Sequence, residues 1–215
     1  MKIYIEALVL YIVIFFSGSA SLIFGGSGGL GEAAGFSWLA GIFLYGIPSL
    51  ALIWFVLLRV KSVKDWNILP GKKDLFSCLI ALPSLLIIGF FSAFLSSNAG
   101  ETSAQVFLSF PSSGAEWALL CFFCIIAAYV EESFFRFYLL SRKNELKLGT
   151  APAVALSAAL FSICHLYEGY WGVLNAALSG TVLAVIFLRF KSLHGISIAH
   201  AIYNIAVYAI NSSGH

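Results

Sequence analysis

A pair of glutamates, Glu131 and Glu132, lies inside an otherwise apolar stretch, and Arg136 follows four residues after Glu132. A charged group in so apolar a segment is costly to bury and normally marks function. On a helix, Glu132 and Arg136 share one face and can form an ion pair. Glu131 points about 100° away from Glu132 and is free for another task. If both glutamates only paired with Arg136 to fix helix packing, one of them would be enough.

Two further apolar stretches carry histidines. Phe161 and His165 are four residues apart in the first stretch, and His200 and Asn204 are four apart in the second. Residues with this spacing lie on one face of a helix. A lone histidine in an apolar helix is usually a packing residue that bonds to a neighbouring helix. Three segments that each offer polar groups favour a common site over three unrelated packing devices.

These residue types can together hydrolyse a peptide bond. A carboxylate in an apolar pocket suits a general base near neutral pH, and Glu131 would take a proton from water. His165 would hold that water or share the proton. His200 and Asn204 would donate hydrogen bonds to the oxyanion that develops on the attacked carbonyl. Glu132 with Arg136 would orient the helix or bind a substrate carboxylate.

A metal site is the competing use of the same atoms. Glu131, His165 and His200 could provide a glutamate and two histidines to zinc, with a fourth position open. The sequence lacks HExxH, the local signature of many zinc proteases. Zinc could still be bound by residues from separate segments, so a zinc site stays an alternative. Metal-free hydrolysis is favoured because these residues already supply a general base and hydrogen-bond donors for the oxyanion.

The composition places this chemistry in a membrane. Of the 215 residues, 60% are hydrophobic and 10% are charged, so the chain lacks the polar side chains that cover a soluble domain. The net charge of +2 and the absence of a basic stripe argue against a nucleic-acid partner. The four cysteines all lie in apolar stretches, which predicts packing and not a disulfide framework.

Hydropathy predicts an all-α, polytopic transmembrane helix bundle of about seven spans. The apolar segments are Ile3–Phe24, Phe36–Leu58, Leu75–Leu95, Glu116–Leu140, Thr150–Leu166, Trp171–Leu188 and Gly195–Asn211. With seven spans, every lysine and arginine outside the fourth span falls on one side. These residues are Lys2, Arg59, Lys61, Lys64, Lys72, Lys73, Arg142, Lys143, Lys147, Arg189 and Lys191. The positive-inside rule then predicts a cytoplasmic N-terminus and a non-cytoplasmic C-terminus.

The three polar patterns resemble a known family. Glu131-Glu132-xxx-Arg136, Phe161-xxx-His165 and His200-xxx-Asn204 are similar to the three motifs of the CAAX-protease and bacteriocin-processing (CPBP, or Abi) family. The resemblance covers roughly residues 115–211. It implies an intramembrane endopeptidase related to the Ras-converting CAAX protease. In that family the residues corresponding to Glu131 and His165 are taken to activate water, and those corresponding to His200 and Asn204 to form the oxyanion site.

The resemblance also suggests a division of the chain. Residues 1–114 would form three N-terminal spans, and residues 115–215 a catalytic core of four spans that supports the site through Glu132, Arg136 and Phe161. The predicted substrate is a membrane-associated protein or peptide in the lipid bilayer. Two other classes remain open: a non-catalytic membrane protein, such as a bacteriocin-immunity or regulatory factor, and a proton-coupled transporter. The transporter is disfavoured because the sequence has no internal repeat.

Overall fold

The computed structural model describes residues 2–16, 34–59, 69–99 and 110–212 of the chain. Within these ranges it contains seven helical rods and no strand, which confirms the all-α prediction. The first three rods are α1 (Lys2–Tyr11, continued by a π-helical segment Ile12–Phe16), α2 (Ala34–Ala40, a π-helical segment Gly41–Gly46, then Ile47–Leu57) and α3 (Lys72–Asn98).

Four further rods form the part of the chain that carries the polar motifs. They are α4 (Gly114–Glu132, a π-helical segment Ser133–Tyr138, then Leu139–Ser141), α5 (Thr150–Ile163), α6 (Gly169–Phe190, preceded by a 3-10 turn Leu166–Glu168) and α7 (Leu193–Ser212). The start of α4 has a clear local cause: the Ser113 hydroxyl accepts a hydrogen bond from the Glu116 amide, and the Glu116 carboxylate accepts from Ser112.

Five of the described helices, α2, α3, α4, α6 and α7, are long and apolar enough to cross a membrane. Together with the exposed large hydrophobic side chains on α1, α2 and α3, they make the chain an integral membrane protein. The predicted extension of the first span through residues 17–24 lies outside the described residues. Seven spans remain consistent with the helices, although α1 and α5 are shorter than the other five.

The C-terminal ends of α5 and α6 are among those that differ from the hydropathy prediction. The fifth segment was expected to extend to Leu166, but α5 ends at Ile163, after 14 residues. It is therefore about 21 Å long, shorter than the hydrocarbon core of about 30 Å. The sixth segment is longer than expected because α6 continues to Phe190. Lys191 then adopts a left-handed conformation (φ 50°), and its amide donates to the Phe187 carbonyl.

The helices share one hydrophobic core. α6 packs against α3 and α5, while α7 packs against α3 and α4. Buried residues of this core come from both sides of the suggested boundary at residue 114, for example Ile53 and Leu85 on one side and Phe134 and Phe187 on the other. The division into residues 1–114 and 115–215 stays a prediction, but α3 and the motif-bearing helices are packed as neighbours.

A close backbone approach joins α3 to the start of α7 and gives a test of this packing. A Cβ atom added at Gly195 would lie 1.9 Å from the Ser77 hydroxyl oxygen and 2.2 Å from the Asp74 carbonyl oxygen. We expect Gly195→Ala to destabilise the protein by about 2 kcal/mol or more, because the Asp74 carbonyl oxygen can move away only if the backbone of α3 shifts. Thermal unfolding in detergent measures this, with Gly114→Ala as the control, since a Cβ there meets nothing within 4 Å. Equal melting temperatures for the two variants would contradict the packing of α3 on α7.

Candidate active site

The paired glutamates lie where α4 changes its helical geometry. Glu131 and Glu132 are the last two residues of the regular α-helical part, and Arg136 belongs to the π-helical segment that follows. π-Helical segments inside α-helices occur frequently at functional sites. The predicted ion pair is present: Arg136 Nη1 lies 3.1 Å from Glu132 Oε1, and both side chains are fully buried. This contact is an ion pair and lacks the angle of a hydrogen bond.

Arg136 is enclosed by two neighbouring helices. Its Nη2 donates to the Gly180 carbonyl of α6 at 3.3 Å, and its guanidinium carbon lies 4.4 Å from the centre of the Phe161 ring of α5. A Cβ at position 180 would stand only 3.0 Å from Phe161 Cδ1. Glycine therefore lets α6 approach both residues, and Phe161 covers the cation with its ring.

His200 lies between the two glutamates. Its Nδ1 is 2.9 Å from Glu132 Oε1, and its Nε2 is 3.6 Å from Glu131 Oε2. A carboxylate only accepts hydrogen bonds, so the Nδ1 nitrogen carries the proton it shares with Glu132. The carboxylate of Glu132 thus serves Arg136 and His200 together. The Nε2 nitrogen of His200 is left facing Glu131, where it can donate to a bound group when the ring is charged.

Glu131 keeps one oxygen available. Its Oε2 is buried and makes no hydrogen bond with any described residue, although the side chain as a whole is 22% exposed. Leaving a buried polar atom without a partner is costly, which is typical of an atom whose partner is a ligand. This oxygen is free to accept a hydrogen bond from a water molecule or a substrate.

His165 lies just beyond the end of α5 and not within a helix, as the span prediction had placed it. Its ring Nδ1 is 2.9 Å from the Phe161 carbonyl oxygen, which only accepts, so Nδ1 carries a proton. The ring contacts the Phe161 ring (centroids 4.6 Å apart) and stacks on Tyr167. Because Nδ1 is held in this way, Nε2 is the nitrogen that remains for chemistry.

Asn204 lies one turn after His200 on α7 and is half-buried. Its side-chain amide makes no hydrogen bond within the described part of the chain. The neighbouring residue is fixed instead: the Tyr203 hydroxyl accepts a hydrogen bond from Asn175 Nδ2 of α6 at 3.3 Å. A Cβ at Gly89 would lie 2.6 Å from that hydroxyl, so α3 also packs closely on this turn. The turn that carries Asn204 is therefore held from two sides, while its amide stays free.

The structure brings most of the predicted residues together, but not every pair. Glu131, Glu132, Arg136 and His200 are in direct contact. His165 joins them through the Phe161 ring, whose centre lies 5.9 Å from that of His200. Among the described residues, Glu131 and His165 make no hydrogen bond or ion pair with each other. Any joint action of these two residues would require a bound water molecule between them.

The same arrangement bears on the zinc alternative. In the residues that the structure describes, no three histidine, cysteine, aspartate or glutamate side chains converge as a metal site requires. The Nδ1 nitrogens of His165 and His200 bond to the Phe161 carbonyl and to Glu132, which leaves both Nε2 nitrogens available to a metal. Glu131, His165 and His200 do not converge as three ligands in this arrangement, and zinc stays an alternative to metal-free hydrolysis.

Sequence reasoning missed one acidic residue near the site. Glu168 Oε1 lies 4.0 Å from His165 Nε2, and the Glu168 side chain is 28% exposed. The signal was its position three residues after His165, which places the two on one side of a tight turn. Glu168 thus adds a third carboxylate to the surroundings of the two histidines.

Residues 113–206 match the family model described as "Rce1-like: Type II CAAX prenyl endopeptidase Rce1-like". This segment is similar to the Rce1-like family. The match confirms the resemblance to CAAX proteases, and the matched segment contains all seven predicted site residues. No curated protein and no solved structure matches the chain.

Proposed function

We propose that this protein is an intramembrane endopeptidase of the CAAX type, which hydrolyses a peptide bond of a membrane-associated protein or peptide. The observation that carries the proposal is the buried cluster in which His200 joins the two glutamates of α4 beside a free carboxylate oxygen of Glu131. The family match supports protease activity of this type for the same segment.

In the proposed reaction Glu131 is the general base. Its free carboxylate oxygen takes a proton from a water molecule that accepts or donates a hydrogen bond at His165 Nε2. The resulting hydroxide attacks the carbonyl carbon of the scissile peptide bond, and the C–N bond breaks as the tetrahedral intermediate collapses. The proton held on Glu131 then passes to the leaving amine. The water molecule thus supplies the oxygen of the new carboxylate and the proton of the new amine, and no other reactant is needed.

The developing oxyanion would be stabilised from α7. The side-chain amide of Asn204 has a free donor, and His200 donates from Nε2 when its ring is charged. The buried pair Glu132–Arg136 supports this step because Glu132 fixes the His200 ring through Nδ1. Full burial of Arg136 beneath Phe161 favours this orienting role over the other expectation, binding of a substrate carboxylate.

The orientation and the division of the chain belong to the same proposal. The N-terminus would be cytoplasmic and the C-terminus non-cytoplasmic, because the lysines and arginines outside α4 then share the cytoplasmic side. Residues 1–114 would provide three spans that support the four-span core of residues 115–215.

Cleavage of a membrane-anchored peptide by the purified protein in liposomes tests the proposal. We expect a prenylated CAAX peptide or another membrane-anchored peptide to yield a new C-terminus, detected by mass spectrometry, and the yield to persist with a strong chelator present. Yield that is lost with chelator and restored by zinc would replace the metal-free mechanism with a zinc-dependent one. Binding of the peptides without any cleavage would support the alternative of a non-catalytic immunity or regulatory protein.

A further inference from the structure

The first helix contacts the end of α5 that presents His165, although α1 lies far outside the family-matched segment. Tyr11 is half-buried at this contact. Its hydroxyl donates to the Leu160 carbonyl oxygen at 3.0 Å and accepts from the Cys164 thiol at 3.4 Å. The residues joined are about 150 positions apart in the chain, so only the tertiary fold brings them together. Tyr11 therefore bonds to a backbone carbonyl in the last turn of a helix, where carbonyl groups lack backbone amide donors.

The carbonyl groups in the last turn of a helix lack the amides that a longer helix would supply. In an apolar surrounding, a backbone carbonyl without a partner is costly. At the end of α5, two of these carbonyls bond to His165: its ring Nδ1 binds the Phe161 carbonyl, and its backbone amide donates to the Ser162 carbonyl. The Leu160 carbonyl receives its partner from Tyr11. His165 and Tyr11 together therefore complete the end of α5.

The aromatic packing around Tyr11 connects the same point to α4. Its ring lies 6.1 Å from that of Phe134 and 6.3 Å from that of Phe135, both in the π-helical segment that contains Arg136. The Phe135 ring in turn lies 5.2 Å from the Phe161 ring of α5. The Tyr11 side chain thus fills the junction between the helix that carries the glutamates and the helix that ends at His165.

We propose that Tyr11 is a positioning residue, which caps the C-terminal end of α5 and thereby fixes His165 for the proposed hydrolysis. The effect on turnover rests on the proposed function, whereas the cap itself does not. The Cys164 thiol also reaches the Leu160 carbonyl, at 3.4 Å, and can supply part of the missing bond. Removing the hydroxyl of Tyr11 therefore loosens the turn without unfolding the helix.

Tyr4 offers a matched control on the same helix. Its hydroxyl donates to the Leu146 carbonyl oxygen at 2.7 Å, in the connection between α4 and α5. Tyr4→Phe and Tyr11→Phe each remove one hydroxyl that bonds a backbone carbonyl of the core. Only the Leu160 carbonyl, which Tyr11 binds, belongs to the helix end that precedes His165. The two variants should differ in where they loosen the backbone and in what that does to turnover.

Amide hydrogen exchange and steady-state kinetics on the full chain in lipid nanodiscs test the proposal. For Tyr11→Phe we expect about tenfold faster exchange across residues 160–168, and about a tenfold lower kcat with KM within twofold, because a small misplacement of a catalytic group costs rate. For Tyr4→Phe we expect faster exchange near Leu146 and an unchanged kcat. Adding Cys164→Ala to Tyr11→Phe should enlarge both effects.

Exchange across residues 160–168 that stays at the wild-type rate in Tyr11→Phe would overturn the cap. Faster exchange with an unchanged kcat would overturn the positioning of His165. A wild-type protein that cleaves no peptide would refute the proposed function instead, and the exchange rates would still decide whether Tyr11 caps α5.

Discussion

Replacing Glu131 with glutamine should lower kcat for peptide hydrolysis by about 1000-fold, because glutamine keeps the shape of the side chain but cannot accept a proton from water. The same change should leave stability unchanged or raise it, since the buried Oε2 of Glu131 makes no hydrogen bond with a described residue. A large loss of rate without a loss of stability is typical of a residue kept for function.

Steady-state cleavage and thermal unfolding of purified Glu131→Gln measure both parts. Glu116→Gln is a suitable control: Glu116 lies on the same helix and serves only the start of α4, through Ser112 and Ser113. The Glu116→Gln variant should keep the wild-type kcat and lose some stability. If Glu131→Gln retained more than about a tenth of the wild-type kcat, Glu131 would not be the general base.

The second large effect concerns the buried ion pair. Arg136→Met should destabilise the protein by about 3 kcal/mol, because it leaves the carboxylate of Glu132 fully buried with only His200 beside it. Adding Glu132→Gln removes the second charge, so the double variant should recover part of this stability. Both variants should still lose activity. Arg136→Met removes the cation that balances the charge of Glu132, and the double variant also removes the carboxylate that orients His200.

Arg142 provides the comparison for this prediction. Its side chain is itself buried, but its partners Glu6 and Glu145 are 41% and 39% exposed. Arg142→Met should therefore cost only about 1 kcal/mol, as expected for ion pairs that water can reach. Unfolding in detergent measures all three variants. The buried-pair interpretation fails if Arg136→Met is no less stable than Arg142→Met, or if the double variant is less stable than Arg136→Met alone.

The sequence predicted those features that depend on a single segment. Hydropathy located seven helices because each apolar run is long enough to need burial or lipid. The spacing of four residues correctly paired Glu132 with Arg136, since side chains at that distance meet on one helix face. It also placed His200 and Asn204 on one face of α7. In each case the relevant geometry is set by neighbours within about one helical turn.

Features that depend on how helices pack could not be predicted in this way. Spacing gives the face on which His200 lies, but not that this face meets both glutamates, which requires the rotation of α7 against α4. Hydropathy analysis missed the early end of α5 because Ile163, Cys164 and Leu166 keep this stretch largely apolar. That end is completed by side chains, the ring of His165 and the hydroxyl of Tyr11, and no sequence pattern links residues about 150 positions apart.

The packing of Phe161 illustrates the same point. Its ring contacts the rings of His165 and His200 and the guanidinium of Arg136. One aromatic ring thereby connects the groups of three helices, and its packing, not its spacing, gives it that role.

Hydrolysis of a membrane-anchored peptide in ¹⁸O-labelled water tests the central claim most directly, with the enzyme in excess so that each molecule turns over at most once. If Glu131 activates water for direct attack, the new C-terminal carboxylate formed by the wild type carries one ¹⁸O atom, and Glu131→Gln yields no product under the same conditions. A peptide that stays intact with the wild type would contradict the proposed protease. A first-turnover product without ¹⁸O would show that a side chain of the enzyme, and not water, attacks the peptide bond.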